Sequence, residues 1–252
     1  MSGWLRILGL GPGNPAWITP ETTALLAEAT DVIGYAPYLA RLRLRLGQIA
    51  HGSDNRVEID RARLALAMAA AGQRVAVVSG GDPGIFAMAA AVFEALEAGP
   101  LAWRAIDIAV HPGVSAMQAA AARLGAPLGH DFCVISLSDN LKPWTILEKR
   151  LDAVAAGDFV LALYNPASKA RPDRLHQAFA RLRTLKARET PVAFARAIGR
   201  ADESLFITTL AEADAARADM ATLVLIGSSE TRWIATPGGG WLYTPRTYGA
   251  GR

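Results

Sequence analysis

Cysteine is almost absent from this chain of 252 residues, which contains one, Cys133, beside four histidines. A single cysteine cannot form an intramolecular disulfide, so a reducing compartment is favoured and a cytoplasmic protein is expected. Cys133 lies inside an apolar segment, and we interpret it as a small core residue rather than a nucleophile. So few cysteines and histidines exclude a zinc cluster of the Cys/His type, and no metal site is predicted.

Long apolar runs and a strong charge imbalance are missing too. Hydrophobic residues make up 52% of the chain, but charges or turn residues interrupt each run before the roughly 20 residues that span a bilayer. The N-terminus has no basic segment followed by an apolar one, so no signal peptide is predicted. The formal net charge is only +3. The basic clusters at 41–45 and 169–188 are typical of solvated helix faces, or of a surface for an anionic small molecule or RNA.

Strand and helix patterns alternate along the chain and predict an α/β fold with two α/β domains. Up to about residue 124 the alternation indicates βαβ units and a mostly parallel sheet. In the second half, strands near 191–195, 204–209 and 222–227 follow closely, with one short helix at 211–217, which favours a mixed sheet. The boundary is expected near 112–118, giving an N-terminal domain of residues 1–114 and a C-terminal domain of residues 115–252.

Three short loops follow predicted strands, at the carboxyl ends where open α/β sheets bind ligands. Gly9 to Gly13 is not a dinucleotide fingerprint, because Asn14 replaces the third glycine, and the loop could equally be a tight turn. Asp82, in the loop Ser79 to Gly84, is either a ligand-binding carboxylate or the N-cap of the next helix. The small residues of Pro112 to Ala116 could line a pocket, and Ser115 could cap a helix.

The common catalytic motifs give little further guidance. There is no Gly-x-Ser-x-Gly sequence, so a hydrolase triad has no anchor. His130 and Asp131 could act in acid–base chemistry or could satisfy backbone groups in a loop. The residues alone therefore predict an α/β enzyme acting on a small molecule, without specifying its reaction.

Taken together and in order, the three loops resemble those of the class III S-adenosylmethionine-dependent methyltransferases, the tetrapyrrole methylase family, and the resemblance extends over residues 4–246. The segments Leu124 to Phe132, Ile135 to Asp139, Leu163 to Ser168 and Tyr243 to Arg246 are similar to members that methylate C17 of precorrin-3B and contract the ring to precorrin-4. The alternatives are a member acting on cobalt-factor III, another precorrin methylase, an rRNA methylase of the same fold, and a non-catalytic binding module.

The resemblance implies that S-adenosylmethionine lies in the cleft between the two domains and leaves as S-adenosylhomocysteine. The implied cofactor contacts are Pro12, Gly81, Asp82, Ile85, Phe86, Ser115, Ala116, Tyr164, Asn165, Ala195 and Ile226. The tetrapyrrole substrate carries a rim of carboxylates, which Arg171, Arg196 and Arg200 could bind, whereas the other arginines of 174–188 are assigned to a solvated face. Ring contraction requires a proton to leave a ring alcohol, and the candidate residues are His130, Asp131 and Asp139. The resemblance also implies a homodimer, with neither nucleic acid nor membrane as partner.

Overall fold

A computed structural model describes residues 3–54, 57–168 and 171–249 of the chain. The chain divides into two compact units, Met1–Ser115 and Ala116–Arg252. No helix among the described residues is both long and apolar enough to cross a membrane; the longest have 13 residues.

The first unit contains a parallel sheet of five strands, as the alternating sequence pattern predicted. The strands follow the order β3-β2-β4-β1-β5, and every neighbouring pair is parallel. The elements are β1 (Trp4–Gly9), α1 (Pro20–Glu28), β2 (Asp31–Tyr35), α2 (Ala36–Leu39), β3 (Ile49–Ser53), α3 (Glu58–Ala70), β4 (Arg74–Ser79), α4 (Met88–Ala98) and β5 (Asp107–His111).

Apolar side chains on both faces of the central strands fix this arrangement, because a parallel sheet must be covered on two sides. On one face Leu5, Ile7 and Val77 pack with side chains of α3 and α4 such as Leu66 and Val92. On the other face, residues of β1, β2 and β4 pack with part of α1. The start of α1 is as predicted: the Thr19 hydroxyl accepts a hydrogen bond from the Thr22 amide at 3.1 Å, and Pro20 is the first helical residue.

The second unit contains a mixed sheet, also as predicted, with strand order β10-β9-β11-β8-β7. Only β7 and β8 are parallel, and the other neighbours are antiparallel. A second, three-stranded sheet has the order β12-β13-β6. The elements are α5 (Ala116–Leu124), β6 (Gly125–Ala126), β7 (Phe132–Ser136), α6 (Trp144–Ala156), β8 (Val160–Tyr164), α7 (Arg174–Leu182), β9 (Pro191–Arg196), β10 (Ser204–Thr209), β11 (Thr222–Ile226), β12 (Arg232–Thr236) and β13 (Gly239–Tyr243).

The core of the second unit forms where α6 and α7 pack against the mixed sheet, with Leu147, Leu151 and Phe179 fully buried. Cys133 lies in β7 and packs at the edge of this core, as its apolar setting predicted. The helix predicted at 211–217 is wrong: that segment contains only a 3-10 turn, Ala215–Arg217. Here the Asp214 side chain accepts a hydrogen bond from the Ala216 amide, which stabilises a tight turn instead.

Candidate active site

Three glycines from three loops touch one another at the carboxyl edge of the parallel sheet. Strand β1 lies between β4 and β5, so the loops that follow these strands are neighbours. A Cβ atom on Gly9 would lie 2.7 Å from the Cα of Gly113, and one on Gly113 would lie 2.5 Å from the carbonyl oxygen of Gly81. Only glycine permits such an approach. The three loops therefore form one continuous backbone surface, which we call the glycine cradle (Gly9, Gly81 and Gly113).

Hydrogen bonds join the first and second loops of the cradle. The Gly81 amide donates to the Gly11 carbonyl at 2.9 Å, and the Gly11 amide donates back to the Gly81 carbonyl at 3.2 Å. Both residues have positive φ, 68° and 75°, the left-handed region that glycine adopts without strain. The loop after β1 is thus pinned to the loop after β4 before any ligand binds.

Asp82 joins the second loop to the third. Its Oδ1 accepts from the Gly84 amide at 2.8 Å, and its Oδ2 accepts from the Gly113 amide at 3.0 Å. The interpretation of Asp82 as the N-cap of the next helix is wrong, because α4 begins at Met88 and Ala87 holds the cap position. Each carboxylate oxygen retains acceptor capacity, so Asp82 can clamp the loops and still contact a ligand.

The other predicted cofactor contacts of the first unit lie within a few residues of the cradle glycines in the sequence, and they differ in solvent exposure. Pro12 and Ile85 are half-buried, and Ser115 is almost fully buried. Phe86 exposes 52% of its surface and has a φ of 52°, a conformation that a bulky residue adopts only when its surroundings impose it. An exposed aromatic ring on a constrained backbone, four residues after Asp82, is a suitable apolar surface for a flat ligand.

In the second unit, Tyr164 and Asn165 connect the end of β8 to neighbouring elements. The Tyr164 hydroxyl accepts a hydrogen bond from the Met117 amide at 3.0 Å, next to the half-buried Ala116 that begins α5. Asn165 has a φ of 52°, and its Nδ2 donates to the Ser136 hydroxyl at 2.9 Å. Both residues therefore have fixed orientations at the carboxyl edge of β7 and β8.

Ala195 and Ile226 are both buried, and they lie on the neighbouring strands β9 and β11 without being paired to each other. Ala195 pairs with Leu223 and Ile226 pairs with Val192, so three residue steps, about 10 Å, separate them along the strands. Only Ala195 lies near the edge at which β8 ends. Ile226 is at the opposite edge, since β11 runs antiparallel to β8 and β9.

An ion-pair cluster gathers Asp139 with two arginines beyond the end of β7. Arg174 Nη2 lies 2.6 Å from Asp139 Oδ2, and Arg171 Nε lies 3.8 Å from Oδ1. The Arg174 guanidinium also lies 4.9 Å from the centre of the Trp144 ring, within cation–π range. The structure thus brings together Asp139 and Arg171, which the sequence had assigned to separate roles. It also adds Arg174, which the sequence had assigned to a solvated helix face.

The other two candidate arginines lie after β9 and differ from Arg171. Arg196 donates through Nε to Asp219 and through Nη1 to Asp202, both at 2.9 Å, so two carboxylates already engage it. Arg200 is exposed, and its amide donates to the Ala197 carbonyl in a tight turn. The Nε of Arg171 lies 3.8 Å from its carboxylate partner, farther than either carboxylate contact of Arg196.

His130 and Asp131 lie at the opposite end of β7 from Asp139. The Val160 amide at the start of β8 donates to the Asp131 carbonyl, whereas Asp139 follows the end of β7. The five residues of β7 extend about 17 Å, so the three acid–base candidates cannot serve one site together. His130 Nδ1 is 3.8 Å from Asp131 Oδ2, and its ring centre is 6.1 Å from that of Tyr248.

A comparison with family models matches residues 5–214 to the Tetrapyrrole (Corrin/Porphyrin) Methylases. The chain belongs to this family. The match includes all three loops of the glycine cradle and most of the second unit, and it confirms the family resemblance of the sequence motifs.

Individual relatives of this methylase cover nearly its whole length. A Precorrin-3B C(17)-methyltransferase from Sinorhizobium sp. is 56% identical over 98% of both chains. A probable cobalt-factor III C(17)-methyltransferase from Salmonella typhimurium is 39% identical over 97% of this chain and 99% of its own.

Solved structures agree with the fold. The crystal structure of the methyltransferase CobJ has a TM-score of 0.93 and 53% identity, covering 97% of this chain and 100% of its own. The uroporphyrin-III C-methyl transferase from Thermus thermophilus, complexed with S-adenyl homocysteine, has a TM-score of 0.67 at 21% identity, covering 89% and 97% of the two chains.

The glycine cradle of this methylase fits the cofactor that the sequence resemblance implies. The space that three Cβ atoms would fill is left for ligand atoms to approach the backbone of Gly9, Gly81 and Gly113. The acceptor capacity of Asp82 suits an ammonium or ribose hydroxyl group, and the exposed Phe86 ring suits a purine. Among the described residues, no group of three or more His, Cys, Asp or Glu side chains could hold a metal ion.

Two further ionisable side chains of the methylase, His111 and Lys142, were missed by sequence reasoning. His111 Nδ1 lies 3.0 Å from Glu21 Oε1, which ties the end of β5 to the start of α1. Lys142 lies three residues after Asp139 and had no motif to single it out. The sequence offered one signal for Lys142: it lies between two segments that carry the family resemblance, Ile135 to Asp139 and Leu163 to Ser168. That position does not predict which side chains Lys142 faces.

Proposed function

We propose that this methylase transfers a methyl group from S-adenosylmethionine to C17 of precorrin-3B and that ring contraction to precorrin-4 accompanies the transfer. The observation that carries the proposal is the 56% identity to a Precorrin-3B C(17)-methyltransferase over 98% of both chains. Identity at this level over the full length supports a shared reaction and not only a shared fold.

The first unit supplies the proposed cofactor site. Backbone groups of Gly81 and the side chain of Asp82 would bind the methionyl part of the cofactor. Ile85 and Phe86 would contact its adenine. Pro12 and Ser115 would be the remaining cofactor contacts from the first unit. From the second unit, Ala116, Tyr164, Asn165 and Ala195 would add contacts. Ile226, which the resemblance also implied, lies at the opposite edge of the mixed sheet and is not included. When bound, the cofactor supplies a methyl group already activated on a sulfonium. The protein therefore needs to position the acceptor carbon and to exclude water, and no strong base is required for this step.

Removal of a proton from the ring alcohol is the part of the reaction for which a side chain is needed. Of the three candidates, Asp139 is the one at the same edge of the mixed sheet as Tyr164, Asn165 and Arg171. The guanidinium groups of Arg171 and Arg174 lie within 4 Å of its carboxylate and hold it at this edge. We therefore assign the proton acceptor to Asp139, whereas His130 and Asp131 lie at the other edge.

The second candidate function is C17 methylation of cobalt-factor III. It is favoured by the 39% identity to a probable enzyme of that type from Salmonella typhimurium. Anaerobic incubation with S-adenosylmethionine and each macrocycle in turn, followed by mass spectrometry of the pigment, separates the two. We expect precorrin-3B to gain one methylene mass with release of S-adenosylhomocysteine. Turnover of cobalt-factor III alone would replace the first proposal by the second.

We also propose a cytoplasmic homodimer, as the resemblance implies. Exposed apolar side chains on the β12–β13 hairpin support a partner surface: Ile234 and Trp241, which are cross-strand neighbours, expose 48% and 53% of their area. Light scattering of the purified protein would give twice the chain mass of 26.7 kDa if the proposal is right, and the chain mass itself if it is wrong.

A further inference from the structure

The loop from β7 to α6 has an excess of positive charge in the second unit. Asp139 on this loop pairs with Arg171 and Arg174, and Lys142 follows three residues later. The charge of Arg150 on α6 also acts on Lys142. These interactions therefore join four cationic side chains to the one carboxylate of Asp139. Since like charges repel, an arrangement of this kind is stabilised when a further anion binds.

The contacts of the two arginines differ in strength. Arg174 is fully engaged: it lies 2.6 Å from Asp139, donates to Gln177 at 2.7 Å, and stacks on the Trp144 ring. Arg171 lies 3.8 Å from Asp139, and its Nη1 reaches the Leu137 carbonyl only at 3.4 Å. Arg174 therefore neutralises and fixes Asp139, whereas the guanidinium of Arg171 keeps hydrogen-bond donors for another acceptor.

Lys142 has no anionic partner among the residues that the structure describes. Within the described part of the chain, its ammonium group makes no hydrogen bond and lies within 4.0 Å of no carboxylate, although the side chain is half-buried. Burial lowers its pKa, and the charges of Arg150 and Arg171 lower it further, with only Asp139 opposing them. A lysine held in this way gains more from a carboxylate ligand than a solvated lysine does.

We propose that Lys142 and Arg171 form a binding site for one acetate or propionate carboxylate of the macrocycle. The inference deepens the proposed function and rests on it for the identity of the natural ligand. Lys142 supplies a point charge and Arg171 a planar pair of donors, the two kinds of group that proteins use for carboxylates. The site would bind the rim of the ring near Asp139, whose Oδ1 lies 3.8 Å from Arg171 Nε.

The binding test uses uroporphyrin, which carries eight carboxylates and needs no turnover. Fluorescence titration of the full chain would compare wild type with Lys142→Met, Lys142→Arg and Lys149→Met. Lys149 is a matched control, because it is an exposed lysine on α6. We expect the Kd to rise about tenfold for Lys142→Met, and to stay within about twofold for the other two variants. Equal Kd values for the two methionine variants, or no saturable binding by wild type, would overturn the proposal.

A second measurement separates this inference from the proposed function. With S-adenosylmethionine and the macrocycle that is turned over, Lys142→Met should raise KM for the macrocycle about tenfold and leave kcat and KM for S-adenosylmethionine unchanged. A loss of kcat with unchanged KM would contradict a binding role. If no macrocycle is methylated at all, the proposed function fails, but the uroporphyrin titration still decides whether Lys142 binds carboxylates.

Discussion

The Gly113 amide donates a hydrogen bond to Oδ2 of Asp82 at 3.0 Å, across two loops that lie 31 residues apart in sequence. The same carboxylate fixes its own loop by accepting from the Gly84 amide. Asp82 is therefore a clamp that holds the glycine cradle in shape before a ligand arrives. A preformed site loses less conformational entropy on binding than a mobile one.

Replacing Asp82 by Asn should weaken the binding of S-adenosylmethionine about tenfold, because an amide removes one of the two acceptors that hold the Gly84 and Gly113 amides. Calorimetric titration would measure the change. Asp60→Asn, an exposed carboxylate on α3, is the control and should bind as wild type does. Unchanged affinity in Asp82→Asn would contradict the clamp.

Replacing Gly113 by Ala should destabilise the protein by about 2 kcal/mol and abolish detectable cofactor binding. The added Cβ would lie 2.5 Å from the Gly81 carbonyl, so the second and third loops would have to separate. Gly238→Ala is the matched control, since a Cβ there has no neighbour within 4 Å. Denaturant unfolding of the two variants provides the comparison, and equal stabilities would refute the close packing of the cradle.

Asp158 should contribute stability that disappears in acid. Burial is the largest single influence on the pKa of the Asp158 carboxyl and raises it. Hydrogen bonds from Ser229 and Lys186 lower this pKa and together outweigh burial, so the net shift is downward. The pKa of this carboxyl is about 4 in the unfolded chain and lower in the folded protein. The stabilisation that ionised Asp158 provides is therefore complete above about pH 4, and it is lost as the pH falls through the pKa of the folded state.

At pH 7, Asp158→Asn should therefore reduce the free energy of unfolding by about 2 kcal/mol. Asparagine tolerates the φ of 52° at this position, so the backbone is preserved. The difference from wild type should shrink as the pH falls below 4, and urea titrations at a series of pH values would show it. A difference that stays constant down to pH 2 would mean that ionisation of Asp158 does not stabilise the fold.

Replacing Asp139 by Asn should separate the two chemical outcomes of the reaction. We expect the methylated macrocycle to accumulate while the contracted product falls at least about tenfold, since a general base typically contributes a hundredfold or more. Chromatography with mass spectrometry resolves the two products. His130→Ala and Asp131→Asn serve as comparison variants. If either of them loses ring contraction while Asp139→Asn contracts the ring as wild type does, the proton acceptor is at the other end of β7 and the assignment to Asp139 is wrong.

Short sequence patterns were enough to predict most individual strands, helix starts and turns of the fold. The apolar strands, the Thr19 cap and the glycine loops follow from residue types at short spacing. The contact between Gly81 and Gly113 does not, because it requires β1 to lie between β4 and β5. The β12–β13 hairpin was also missed: its first strand is exposed throughout, so it lacks the alternation that marks a half-buried strand.

For the candidate site, sequence reasoning identified residues but not their partners. Arg196 and Arg171 are equivalent as sequence candidates, and only the structure reveals that Asp202 and Asp219 already bind Arg196. The separation of His130 from Asp139 was within reach of the sequence, since the predicted strand 132–136 lies between them. Side-chain pairing across the mixed sheet depends on strand order, which local patterns do not contain.

Isotope labelling can show whether the transferred methyl group is attached to C17. The protein would be incubated anaerobically with precorrin-3B and S-adenosylmethionine carrying a ¹³C methyl group, and the pigment examined by carbon NMR. We expect a single labelled methyl group, attached to C17 of a contracted ring. A label on any other ring carbon, or an unlabelled pigment despite bound cofactor, would contradict it.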